Sequence, residues 1–267
     1  MSAETDASGI EELDAYILCG GLGTRLRASV PEVPKALAPV EGRPFLDLLL
    51  AFLSGQGLQR FILCAGHRAS EIAARRSEFE RYGQIELSVE QRPLGTAGAL
   101  IQALRAGRSE VSFAFNGDSL LLADLEAMLA FHRDRDAALT LALAAPTGTA
   151  DVGSVRIDSS GRVVSFEENE GVGSDALCNA GAYVFSRGLL LGFGATRPLS
   201  LERDVFPSLL DKPVYGFRTG GFLDIGTPDR YSQASRWIAE KLGDRLLSPR
   251  RNETLPPTWA YRGREGR

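Results

Sequence analysis

The sequence predicts an α/β fold, a Rossmann-like, mostly parallel sheet flanked by helices and continued by a more β-rich second half. Three observations predict it. Short apolar runs alternate with stretches of helical period through the first half, a glycine-rich turn follows the first apolar run directly, and beyond residue 137 the alternation gives way to closely spaced strand-like segments. Strands alternating with helices need crossover connections, which cover both faces of a parallel sheet.

In chain order, Tyr16 to Cys19, Arg60 to Cys64, Ile85 to Val89 and Val111 to Phe115 read as strands, short and apolar. Phe45 to Ser54, Ala69 to Phe79, Thr96 to Arg105 and Leu122 to Arg133 read as the helices between them. In the second half Leu139 to Ala144, Val152 to Ile157, Val163 to Glu167 and Ala182 to Phe185 read as strands, with Asp158-Ser-Ser-Gly161 as a hairpin turn. Ser200 to Leu210 and Asp229 to Glu240 read as helices. The second follows Thr227-Pro228, an N-cap and a proline at the first helical position. Residues 1–12 are expected to form a flexible tail, 13–245 a single domain and 246–267 an irregular tail.

Composition narrows the function. The chain has 267 residues, 44% hydrophobic and 24% charged, enough for one large buried core. A net charge of -4 argues against nucleic acid or an anionic membrane as partner, because both select strongly basic surfaces. Cys19, Cys64 and Cys178 are odd in number and far apart, which suits buried thiols in a reducing compartment. Met1 to Glu12 lacks an apolar core and no later run is long enough to span a bilayer, so the expected location is the cytoplasm. His67 and His132 lie on different elements and read as helix-start and surface residues.

The glycine turn carries the chemistry. Leu18-Cys19-Gly20-Gly21-Leu22-Gly23-Thr24-Arg25 leaves a strand and presents backbone N–H groups to an anion, with fixed positive charge added at Arg25 and Lys35. No lysine follows the glycines at Walker A spacing, and Leu26 stands where a dinucleotide fingerprint needs its third glycine. Residue for residue, the segment through Pro34-Lys35 resembles the signature of the sugar-1-phosphate nucleotidylyltransferases, or nucleotide-sugar pyrophosphorylases. Within that family its first fifty residues look most like the D-glycero-D-manno-heptose 1-phosphate guanylyltransferases, with the mannose-1-phosphate guanylyltransferases close behind.

Further segments carry the resemblance. Asp118 in Phe115-Asn116-Gly117-Asp118 and Asp224 in Gly221-Phe-Leu-Asp-Ile-Gly226 are each a carboxylate after an apolar strand, suited to holding hard Mg²⁺ beside phosphates. The resemblance implies that this pair binds the catalytic metal. In Val89-Glu90-Gln91-Arg92-Pro93-Leu94-Gly95-Thr96, small residues let a nucleobase approach. The resemblance assigns base binding to Glu90, Pro93, Gly95 and Thr96, alongside Cys19, Gly20, Gly21, Gly23 and Thr24 for the nucleotide. The carboxylate of Glu90, an acceptor only, suits the N1–H and N2–H₂ edge of guanine; a solvated Glu90 with the base read by main chain is the alternative. Asn116, Gly153, Glu168 and Asn179 are the implied sugar-phosphate contacts. The chain departs from the pattern at Glu167-Glu168-Asn169, where relatives place a lysine that grips the sugar phosphate; another cation such as Arg218, or a shifted alignment, would be needed.

The resemblance implies transfer of a nucleotidyl group from a nucleoside triphosphate, GTP favoured, to a sugar 1-phosphate, heptose 1-phosphate favoured, with release of pyrophosphate. It implies a nucleotide-diphospho-sugar transferase fold, with a nucleotide-binding half at 13–137 and a sugar-phosphate half at 138–245. Arg25 and Lys35 would be the catalytic cations, Mg²⁺ the cofactor, and a homodimer or higher homo-oligomer the possible assembly. Another hexose 1-phosphate, or a catalytically inactive nucleotide-sugar-binding regulatory subunit, are the alternatives.

Overall fold

A computed structural model describes residues 8–21, 23, 25–26, 33–146, 153–167, 177–194 and 197–243. Strand β1, Asp14–Leu18, runs through the middle of the main sheet, with Ala15 and Ile17 in one apolar core and Tyr16 in a second on the opposite face. That alternation buries a strand on both sides. The ribbon β2, Pro39–Val40, and β3, Arg43–Pro44, leads into α1, Phe45–Gly55, which is buried along most of its length. Strand β4, Arg60–Ala65, then pairs parallel to β1. Helices α2, Ala69–Ala74, and α3, Arg76–Phe79, return the chain to β5, Gln84–Val89, again parallel. Helix α4, Gly95–Ala103, crosses to the other side of β1, where β6, Val111–Asn116, pairs parallel and sets Leu18 opposite Asn116.

Beyond β6 the chain changes texture as expected. Strand β7, Ser119–Leu121, leaves the sheet, and α5, Leu125–Asp134, is capped by the Asp124 side chain, which accepts the Ala127 N–H. Strands β8, Leu139–Ala144, β9, Ser154–Ile157, and β10, Val163–Glu167, follow, and β11, Leu177–Ser186, pairs antiparallel with β6, β8 and β9. Both halves of the sequence therefore share one nine-stranded sheet. Helix α6, Arg187–Leu191, precedes β12, Val214–Arg218, which is parallel to β8, and β13, Phe222–Asp224, which pairs antiparallel with β7 away from the main sheet. Helices α7, Pro228–Ser232, and α8, Ala234–Leu242, close the described chain.

Several expectations need correction. Ala69 to Phe79 is two helices broken at Arg75, and Asp229 to Glu240 is two broken at Gln233. Ser200 to Leu210 is no α-helix: a π-turn at Leu201–Val205 passes into a 3-10 turn at Phe206–Leu209, where Pro207 brings no N–H for an α ladder. Strand β11 is longer than Ala182 to Phe185, because Gly181 with φ +75° makes a bulge rather than an end. His132 is buried, its Nδ1 2.9 Å from Thr140 Oγ1, and is not a surface residue. Order begins before residue 13, since Ile10–Glu12 is a 3-10 turn with Ile10 buried. The Thr227 cap stands as expected, its side chain accepting the Arg230 N–H.

Candidate active site

The carboxyl ends of β1, β4, β5 and β6 open onto a cavity of about 300 Å³. Parallel strands end here because each crossover helix begins here, which frees loop backbone for a ligand. Cys19, Gly20 and Gly21 line it from the turn after β1, Glu90, Pro93, Gly95 and Thr96 from the connection of β5 to α4, and Asn116, Gly117 and Asp118 from the end of β6. Lys35 enters from the 3-10 turn Lys35–Leu37. The glycine turn folds onto it: Leu26 N–H bonds Gly23 O at 3.1 Å, and a Cβ on Gly23 would stand 3.2 Å from Lys35 Cβ.

The charges concentrate at one edge of the cavity. The Lys35 ammonium donates to Asp118 Oδ2. Asp224 joins them through the ribbon of β7 and β13, which sets Asp224 opposite Ser119, while Ile225 N–H bonds Asp118 O at 3.0 Å. A side chain at Gly226 would begin 2.8 Å from Lys35 Nζ, so glycine there keeps the Lys35 ammonium and the Asp224 carboxylate undisturbed side by side. Arg230 Nε is 3.6 Å from Asp224 Oδ1. Burial, and next the charge of Asp118, raise the Asp224 pKa above the ordinary carboxylate value, against the pull of Lys35 and Arg230. Two neighbouring carboxylates, one of them buried, suit a divalent cation. Among the described residues no group of three or more His, Cys, Asp or Glu could hold a metal. The fit is therefore to Mg²⁺ that takes its remaining ligands from phosphate and water.

The other expected residues are placed differently. Arg25 is exposed on the Gly23–Leu26 turn and does not line the cavity. Thr24 and Glu168 lie outside the described residues. Gly153 and Asn179 are joined to each other, Asn179 N–H to Gly153 O at 3.2 Å, but neither lines the cavity. The Asn179 side chain donates to Tyr183 Oη at 2.8 Å and accepts the Gly181 N–H at 3.0 Å. Glu90 Oε2 accepts the Leu94 N–H at 2.9 Å, which steadies the turn before α4. Gly95 lines the cavity and is glycine for a packing reason as well: the Leu199 carbonyl fills the space where its side chain would be, and accepts the Ala97 N–H at 3.0 Å.

One charged wall residue escaped the sequence reading. Glu202 reaches the cavity from the π-turn, bonded to Thr96 Oγ1 at 3.2 Å and to Ser200 Oγ at 2.9 Å. No spacing signals it, because its place depends on the docking of residues 199–202 against the start of α4.

The sequence profile described as nucleotidyl transferase matches residues 14–241. The mannose-1-phosphate guanylyltransferase of Mycobacterium tuberculosis is 36% identical over 84% of this chain, which spans 64% of that protein. The D-glycero-alpha-D-manno-heptose 1-phosphate guanylyltransferase of Aneurinibacillus thermoaerophilus is also 36% identical, over 84% of this chain and 97% of its own. Among solved structures, HddC from Yersinia pseudotuberculosis superposes with a TM-score of 0.76 at 28% identity, covering 85% of this chain and 99% of that one. The same protein complexed with GMP-PN gives 0.75.

Proposed function

The chain belongs to the nucleotidyl transferase family, and from that premise we propose that it moves a guanylyl group from GTP to a sugar 1-phosphate and releases pyrophosphate. Heptose 1-phosphate is the first choice of acceptor, as in the relative that this chain spans almost end to end, and mannose 1-phosphate the second. The observation that carries the proposal is the meeting of Lys35, Asp118 and Asp224 at the edge of a cavity lined by the glycine turn and the Glu90–Thr96 segment.

The reaction joins two polyanions by in-line attack of the sugar phosphate on the α-phosphorus, so the protein's task is positioning and charge neutralisation. Backbone N–H groups of the glycine turn at Gly20, Gly21 and Gly23 cradle the triphosphate with Thr24 beside them, and Arg25 neutralises the charge of the triphosphate and of the departing pyrophosphate. Lys35 leaves Asp118 for the α-phosphate as negative charge builds there. Asp118 and Asp224 would hold Mg²⁺, which when bound supplies the positive charge shared among phosphate oxygens. Glu90 and Pro93 receive guanine, and Asn116, Gly153, Glu168 and Asn179 the sugar. We place this chemistry in the cytoplasm, in keeping with three free buried thiols. Among the described residues no helix is long and apolar enough to cross a membrane.

Pyrophosphate release from four nucleoside triphosphates, each with Mg²⁺ and a panel of heptose and hexose 1-phosphates, tests the proposal. GTP with a heptose 1-phosphate is expected to be fastest. Tight binding of GTP without turnover on any sugar 1-phosphate would favour an inactive regulatory subunit.

A further inference from the structure

Glu202 occupies the cavity wall on a turn that two hydroxyls hold in place. Thr96 Oγ1 accepts the Leu201 N–H at 2.8 Å and donates to Glu202 Oε2. Ser200 Oγ accepts the Arg203 N–H at 3.2 Å and donates to the same oxygen. Each hydroxyl has one proton. Both protons are spent on Oε2, and among the described residues Oε1 accepts none. A carboxylate of the cavity wall fixed through one oxygen, with its other oxygen unused, is an acceptor arranged in advance for a donor.

The identity of that donor follows from what enters the cavity. Phosphates are acceptors and anions, and a carboxylate repels them. Sugar hydroxyls and the guanine edge are the donors that remain. Glu202 lies on the β11 side, where after burial its charge is what most raises the pKa of the Tyr183 phenol, and Tyr183 in turn carries Asn179. Glu90, the other wall carboxylate that could face a base, sits against Gly66 at the ends of β4 and β5. The two acids are thus held by different parts of the wall, Glu90 at the ends of β4 and β5 and Glu202 at Thr96 and Ser200.

We propose that Glu202 is a sugar-specificity residue, its Oε1 accepting a ring hydroxyl of the sugar 1-phosphate, with Thr96 the residue that positions it. This rests on the nucleotidyl-transfer reading above. It also gives Thr96 a role other than base contact, since its proton is committed to Glu202.

Steady-state kinetics of the full chain, with Glu202→Gln and Thr96→Val variants and a set of monodeoxy analogues of the best sugar 1-phosphate, test it. Glu202→Gln is expected to lower kcat/KM for the sugar 1-phosphate by about tenfold to a hundredfold, the range for a hydrogen bond to a charged group, with KM for GTP unchanged. One deoxy analogue should be as poor with the wild type as with the variant, so that the two losses do not add. Thr96→Val should weaken the same hydroxyl's contribution less. A rise in KM for GTP instead, or a loss spread evenly over all analogues with a lowered melting temperature, would overturn the assignment. A wild type inactive on every sugar 1-phosphate sinks the parent reading as well, whereas an active wild type indifferent to Glu202→Gln sinks this inference alone.

Discussion

Lys35 neutralises Asp118 in the structure, yet the proposed reaction asks the same ammonium to face phosphate. A lysine suits both duties, because its point charge on a flexible stem swings between partners that a planar guanidinium would hold in one geometry. Lys35→Ala and Asp224→Ala are each expected to reduce turnover about a hundredfold or more, the scale for removing one preorganised stabiliser. Pyrophosphate release at saturating substrate measures this, and near-normal rates in both variants would reject their roles. Lys35 and Asp118 were legible because each closes a local motif. Glu202 was not, since its meaning comes from Thr96, which no sequence spacing links to it.

At the scale of elements, helix α5 carries a buried titratable group. Burial, and next the charge of Arg133, lower the His132 pKa to about 4, so the ring stays neutral in the folded chain. The unfolded chain protonates it below its ordinary value near 6.5, so the stability present above that pH drains away as pH falls towards 4. Urea unfolding at pH 7 and pH 5 should show the wild type losing about 2 kcal/mol more than His132→Gln. Equal losses would mean that the ring titrates normally. The helical period of α5 was readable, but not which face its histidine shows, because Thr140 on β8 decides that. The segment 200–210 misled for a related reason: its composition suits a helix, while docking on α4 and Pro207 impose a π-turn and a 3-10 turn.

Across the whole molecule, the end of the sheet opposite the cavity is tied by a buried ion cluster. Asp14, fully buried at the start of β1, accepts from Arg60 on β4 and from the Ser109 N–H at 2.9 Å, and Arg60 reaches Glu86 on β5 at 2.6 Å and Ala106 O at 2.8 Å. Three parallel strands are thereby held at one end while their other ends carry the site. Arg60→Met strands the Asp14 charge, and should cost about 3–5 kcal/mol in denaturant unfolding; an Asp14→Asn partner change should recover part of it. No shift in midpoint would show that the cluster does not hold the strands.

The sequence by itself determined the alternation of strands and helices, the glycine turn with Lys35, and the two carboxylates that follow apolar strands. These are short-range patterns, set by side-chain periodicity and turn chemistry within a few residues. Only the tertiary structure decided that Asp224 stands beside Asp118, through the pairing of β13 with β7, and that Glu202 enters the cavity. It also left Arg25 exposed and outside the cavity wall. Such contacts join segments far apart in the chain, and their energies depend on how whole elements pack, which no local pattern records.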